Sequence, residues 1–127
     1  MYLLDTDVVI WHLRNKSEIV ALVADLSRSG RLGISALTRL EVSLGVKEKE
    51  RNSTQEFLVA LKVYDVNSEI ADMAGEFVRR YRAEGITLDI VDAVIAATAV
   101  VNDLTLVTLN AKHYPMPEVR LYFARTS

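Results

Sequence analysis

Residues 89–109 read DIVDAVIAATAVVNDLTLVTL, and this stretch decides the fold. From 90 to 101 the chain is apolar almost all round, with Asp92 as the one charge, which is the pattern of a helix buried at the centre of a domain. Residues 104–109 follow as a continuous β-rich run, the character of a strand covered on both faces in a parallel sheet. A buried helix feeding directly into such a strand predicts an α/β architecture.

The same alternation extends in both directions. Short apolar runs at 2–4, 32–34 and 63–66 read as further strands, and 120–123 as an edge strand. Between them, Thr6 or Asp7 caps a helix running through Leu13, and Ser17 opens a second with Ile19, Leu22, Val23 and Leu26 inward, closed by Gly30 in the left-handed form. Ser35 or Thr38 opens a third, with Leu37, Leu40 and Leu44 as its stripe and the charged stretch 47–51 as its solvated end. Asn52 or Ser53 caps a fourth that turns Phe57, Leu58 and Leu61 inward. The clearest helix spans 68–84, where Ile70, Met73, Ala74, Phe77, Val78 and Tyr81 recur at helical spacing before Gly85. The expectation is a single domain over residues 1–127, a three-layer α/β/α sandwich around a central parallel sheet of four to five strands.

Composition narrows the function. The chain has 127 residues, half of them hydrophobic and a quarter charged, which is ordinary globular composition. Mean hydropathy is +0.17, high for this size, so apolar surface is expected to remain exposed for a partner. The longest apolar run, 93–101, is too short for a membrane span, and Asp5 and Asp7 interrupt any signal peptide, so a cytoplasmic protein is expected. With no cysteine, disulfide scaffolds, zinc ribbons and thiol nucleophiles are excluded, and a catalytic metal would have to be held by oxygen or by the two histidines. The net charge of −2 supplies no global field for nucleic acid, but it becomes +2 once Asp5, Glu41, Asp89 and Asp92 are counted as a separate cluster.

Those four acids stand where acids are costly. Asp5 ends the first strand, the place where ligands bind in open α/β sheets, although a helix cap also explains it. Glu41 follows Leu40 on the expected apolar stripe, with a capping box over Thr38-Arg39-Leu40-Glu41 as the alternative. Asp92 is the strongest signal, because a lone buried carboxylate costs several kcal/mol unless it is paired or on a metal. Asp89 shares its helix face three residues earlier, as a site residue or as a plain cap. Converging carboxylates are hard ligands that suit Mg2+ or Mn2+, and two such ions about 3.5 to 4 Å apart can drive phosphodiester cleavage. Thr6 and Thr108 are candidates to orient a water or phosphate, and Asn110 is a weaker one that also reads as a cap. His12 and His113 read as surface or packing residues, and Arg39, Arg79, Arg80 and Arg82 as a basic rim or simply the wet side of helices.

Four blocks together resemble the PIN-domain ribonucleases of the VapC toxin type: 3–7 (LLDTD), 34–41 (ISALTRLE), 92–99 (DAVIAATA) and 107–114 (VTLNAKHY). The resemblance covers nearly the whole chain in the right order. It implies a Mg2+- or Mn2+-dependent endoribonuclease, a homodimer, and inhibition by a small cognate antitoxin. It assigns metal-ligand roles to Asp5, Glu41 and Asp92, and supporting hydroxyls to Thr6 and Thr108. Asn110 stands where many relatives carry an acid, which puts a second metal in question; spacing alone suggests that Asp89 compensates. Two alternatives remain at this stage. Asp5-Thr6-Asp7 also matches the Asp-x-Asp of haloacid-dehalogenase-like phosphatases, although Lys112 falls on the wrong side of the acid pair and the chain is short for that fold. The other is a degenerate, non-catalytic binding module, which would not need three separated inward acids.

Overall fold

In the computed structural model, which describes residues 1–124, five short strands make one sheet. They are β1 (Tyr2–Leu4), β2 (Gly33–Ser35), β3 (Lys62–Tyr64), β4 (Thr105–Thr108) and β5 (Arg120–Phe123), in the order β3-β2-β1-β4-β5 with every pairing parallel. The last three residues of the single domain expected over 1–127 lie outside the described residues. Six α-helices accompany the sheet: α1 (Thr6–Leu13), α2 (Ser17–Leu26), α3 (Ala36–Gly45), α4 (Arg51–Val59), α5 (Ser68–Arg82) and α6 (Ile90–Val101).

The pleat divides the core in two. Leu3 and its register partner Leu106 point to one face, where α5 and α6 supply Phe77, Ile95 and a run of alanines. Leu4 and Val107, one residue on, point to the other face and meet Val8, Ile19, Val23 and Leu58 from α1, α2 and α4. This is the three-layer α/β/α arrangement the alternating pattern predicts. Seven consecutive residues of α6, Ala93 to Ala99, are buried, because small side chains let α6 lie against both the sheet and α5. Its first turn is different. Ile90 is 70 % exposed and Asp92 half-buried, so the helix that looked covered all round comes to the surface at its N-terminus.

Several local expectations shift. The cap of α1 is Asp5, whose carboxylate accepts the Val8 N–H at 3.1 Å, rather than Thr6 or Asp7. Gly30 closes a 3-10 turn at Ser27–Ser29 with φ 145° and ψ −179°, an extended mirror conformation rather than the left-handed helical one. In α3 the buried residues are Thr38 and Val42, whereas Leu40 is 54 % and Leu44 81 % exposed. The helix is rotated so that its polar pair, Thr38 and Glu41, meets Thr6 of α1. Ser35 caps it, accepting from Leu37 N–H, so Thr38 starts no capping box. The charged stretch 47–51 is not the end of α3, which stops at Gly45; it forms a 3-10 turn, Glu48–Glu50, that leads into α4 without a side-chain cap from Asn52 or Ser53.

Gly33 is the one glycine whose missing side chain the sheet requires. A Cβ there would collide with the Tyr64 ring on β3 and press on the Lys62 carbonyl at 3.3 Å. Gly33→Ala is therefore expected to destabilise the protein by about 1–3 kcal/mol, the usual range for overpacking. Urea denaturation measures it, and a cost near zero would mean that β3 moves freely against β2.

Candidate active site

Because β2 and β4 flank β1 on opposite sides, the strand order reverses at β1, and the crevice outside its carboxyl end is the place such sheets bind ligands. Asp5 stands there. Its side chain is 4 % exposed, with Oδ1 taken by the Val8 N–H and the Thr108 hydroxyl also bonded to the carboxylate. Burial pushes its pKa up to about 6, the nearby charge of Asp7 adds to the rise, and the hydrogen bonds oppose it.

Asp92 approaches from the first turn of α6. Its pKa is also raised to about 6, by burial first and then by the charges of Asp89 and Asp5, with His113 pulling the other way. The two carboxylates share a neighbour, since the Tyr114 hydroxyl lies 3.5 Å from Asp5 Oδ2 and 3.4 Å from Asp92 Oδ1. No lysine or arginine forms an ion pair with either acid among the described residues; the His113 imidazole comes nearest, with Nδ1 3.4 Å from Asp92 Oδ2.

Glu41 faces the same space from α3. The Thr6 hydroxyl donates to Glu41 Oε1 at 2.6 Å and lies 3.0 Å from Thr38 Oγ1, and since it has one proton it accepts from Thr38. That chain of hydroxyls fixes the direction in which Glu41 points. Asp89 is the cap of α6, accepting the Asp92 N–H at 3.1 Å, and is exposed at the rim. Asp5, Thr6, Glu41, Asp89, Asp92 and Tyr114 all line one open cleft of about 680 Å³.

Two of the sequence candidates lie outside that lining. Thr108 is fully buried under the cleft, where it supports Asp5 and accepts the Asn110 N–H at 3.0 Å. The Asn110 side chain turns to His113 Nε2 at 3.0 Å, so it stands behind His113 rather than beside the acids. His113 is exposed, as the surface reading has it, but it stands in the cleft beside Asp92, which that reading did not include. His12, by contrast, stacks on Phe57 with ring centroids 4.0 Å apart. None of the four arginines proposed as a basic rim lines the cleft, and Arg80 is engaged with Glu118 at 2.6 Å; the lysine on the cleft wall is Lys112. Sequence reading did not single out Tyr114. A tyrosine just past the turn that follows β4 was the available signal, and it looks the same as an ordinary core aromatic.

The donor set is all oxygen apart from His113, which matches hard divalent cations. Among the described residues no three His, Asp or Glu side chains are already gathered at ligating distance. A site built on two carboxylates with water completing the shell is nevertheless the usual form for Mg2+. Two facing acids with raised pKa values and no paired lysine or arginine among the described residues fit such an ion, which Asp5 and Asp92 would hold.

Sheet order, switch-point acids and oxygen-only chemistry define the class, an α/β domain built around an acidic cleft. The PIN domain family matches residues 2–118, and the chain belongs to that family. It is 38 % identical over 117 residues to "Ribonuclease VapC19" of Mycobacterium tuberculosis, covering 91 % of this chain and 94 % of that protein. It is 37 % identical over 118 residues to "Ribonuclease VapC10" of the same organism, covering 93 % and 89 %. VapBC2 of Rickettsia felis, solved bound to a DNA fragment from its promoter, superposes with a TM-score of 0.84 at 25 % identity, covering 96 % of this chain and 97 % of that one. The family assignment displaces the dehalogenase-like alternative.

Proposed function

We propose that this chain is a divalent-metal-dependent endoribonuclease that hydrolyses RNA phosphodiester bonds and acts as the toxin of a toxin–antitoxin pair. The observation that carries the reading is the facing pair Asp5 and Asp92, with no lysine or arginine paired to either among the described residues, at the floor of an open cleft. The relatives that are named ribonucleases support it. A degenerate binding module would have no reason to keep this pair.

Asp5 and Asp92 would hold the divalent cation, Mg2+ or Mn2+, with Glu41 and Asp89 as the further carboxylates of the same cleft. When bound there, a divalent cation activates water and neutralises charge at the scissile phosphate. Glu41, aimed by Thr6, orients the attacking water, and Lys112 on the cleft wall meets the phosphate. Thr108 keeps Asp5 in place from below. Asn110 adds no carboxylate, so one ion suffices for this reading.

Leu44 and Ile86 stand exposed on the cleft walls, with Leu40 and Ile90 exposed nearby on α3 and α6. That apolar rim fits a small antitoxin which covers the cleft and places an arginine against the acids, and it is consistent with a homodimer. No helix among the described residues is long and apolar enough to cross a membrane. A cytoplasmic location goes with the ribonuclease-toxin reading rather than with that absence.

Purified protein is expected to cleave RNA with Mg2+ or Mn2+ and to lose all activity in EDTA. Cleavage that persists in EDTA would refute the metal reading. Expression alone should arrest a bacterial host and co-expression of an adjacent small gene should relieve the arrest.

A further inference from the structure

We propose that Tyr114 is a positioning residue whose hydroxyl sets the spacing of Asp5 and Asp92 and thereby the affinity of the site for a divalent cation. The inference rests on the metal-dependent reading of the cleft. Its basis is the placement of one buried atom. Tyr114 is 4 % exposed and its ring packs in the core between the sheet, α5 and α6, a volume that phenylalanine would fill equally well. A buried phenol needs a hydrogen-bond partner, and the oxygens this one reaches are Asp5 Oδ2 and Asp92 Oδ1.

The two distances, 3.5 and 3.4 Å, are nearly equal and both are long for an O–H···O bond. One proton cannot satisfy two acceptors at once, so the hydroxyl sits between them and can close on either. Each carboxylate is anchored at its other oxygen, Asp5 by the Val8 N–H at 3.1 Å and Asp92 by His113 at 3.4 Å. Among the described residues the phenol is therefore the one group hydrogen-bonded to both acids, and it stands between two side chains whose charges repel. The segment that carries it is itself pinned. Tyr114 N–H closes the 3-10 turn Ala111–His113 onto the Ala111 carbonyl at 3.1 Å, the Tyr81 hydroxyl of α5 donates to the Pro115 carbonyl at 3.0 Å, and Met116 is buried beyond. A spacer held this firmly transmits the position of α5 to the acid pair.

Tyr114→Phe removes the hydroxyl and keeps the ring. Titration of RNA-free protein with Mn2+, followed by the loss of the free-ion electron paramagnetic resonance signal, should show Kd raised about tenfold, the lower end of what groups supporting metal ligands contribute. At limiting Mn2+ the cleavage kcat should fall while KM for RNA stays constant, and excess Mn2+ should restore the rate. A purely structural tyrosine would lower the melting temperature and leave Mn2+ affinity and its rescue untouched. Asp92→Asn, measured in parallel, separates the inference from the reading beneath it. If Asp92→Asn loses Mn2+ binding and Tyr114→Phe binds as tightly as wild type or tighter, the hydroxyl does not position the acids and the inference is wrong. If Asp92→Asn itself binds Mn2+ like wild type, the cation reading of the cleft fails and the inference falls with it.

Discussion

Asp5→Asn and Asp92→Asn are each expected to lower metal-dependent RNA cleavage by about a thousandfold, since charge stabilisation by a bound cation is worth several kcal/mol and each 1.4 kcal/mol or so is a factor of ten. The fold should survive both changes. Asparagine is as good a helix cap as aspartate, so the amide oxygen introduced at position 5 can still accept the Val8 N–H, and the one introduced at position 92 can still face Tyr114. Asp7→Asn is the control. Asp7 also lines the cleft, but it is exposed and acts on the site through its charge alone, felt at Asp5 and Tyr114, so a loss below about tenfold is expected. Asp89→Asn should fall between them, because the new side chain still caps α6 and only its charge is lost. A gel-based RNA cleavage assay with circular dichroism on each variant decides the matter. An essential Asp7 with a dispensable Asp92 would relocate the site.

The second large effect is on stability without metal. Asp5 and Asp92 each titrate near 6 in the folded protein, against roughly 3.9 for an aspartate in an unfolded chain. Between those values the native state holds more protons than the unfolded one, so stability falls as pH rises from about 4 to 6 and stays low above. At about 1.4 kcal/mol per tenfold difference in proton affinity, Asp5 alone contributes a loss of about 3 kcal/mol, and the more exposed Asp92 a smaller one. Removing one of the two repelling charges should therefore raise the melting temperature of the metal-free protein. Asp92→Asn is expected to melt about 5 °C above wild type at pH 8 and close to it at pH 4, where both acids are protonated. Differential scanning calorimetry in EDTA at both pH values measures this, and an equal difference at pH 4 and pH 8 would show that charge is not the cause.

What the sequence made legible follows from where the physics is local. The α6–β4 stretch could be read because Ala93 to Ala99 and most of β4 are buried, so that the residues of each run report the same environment. Asp5 and Asp92 stood out for the same reason, as charges set in apolar runs. The phase of α3 was misread, with Leu40 and Leu44 placed inside and found exposed, because the rotation of that helix is decided by Thr6 on another element, 32 residues away from Thr38. Nothing within residues 36–45 encodes that contact. Tyr114 was missed because its ring obeys the core pattern and only the long-range meeting of its hydroxyl with Asp5, 109 residues earlier, sets it apart. His113 reads from sequence as a surface or packing residue for a similar reason, since a histidine just past a strand becomes a site residue only once α6 brings Asp92 to it. Strand and helix existence, then, are written in runs and periods, whereas the fine geometry of the cleft is written in pairs of residues distant along the chain.

The claim that Asp5 and Asp92 form a cation site is tested most directly by thermal denaturation of wild type and Asp92→Asn at pH 8, each in EDTA and in saturating Mg2+ or Mn2+. Binding to the native state alone stabilises by mass action, about 2.7 kcal/mol at a hundredfold excess over Kd. If the pair holds a cation, the variant melts higher than wild type in EDTA and wild type gains more from metal, so that the gap closes or reverses. A variant that melts lower than wild type in EDTA and gains equally from metal would show Asp92 to be a satisfied structural carboxylate, and would contradict the account.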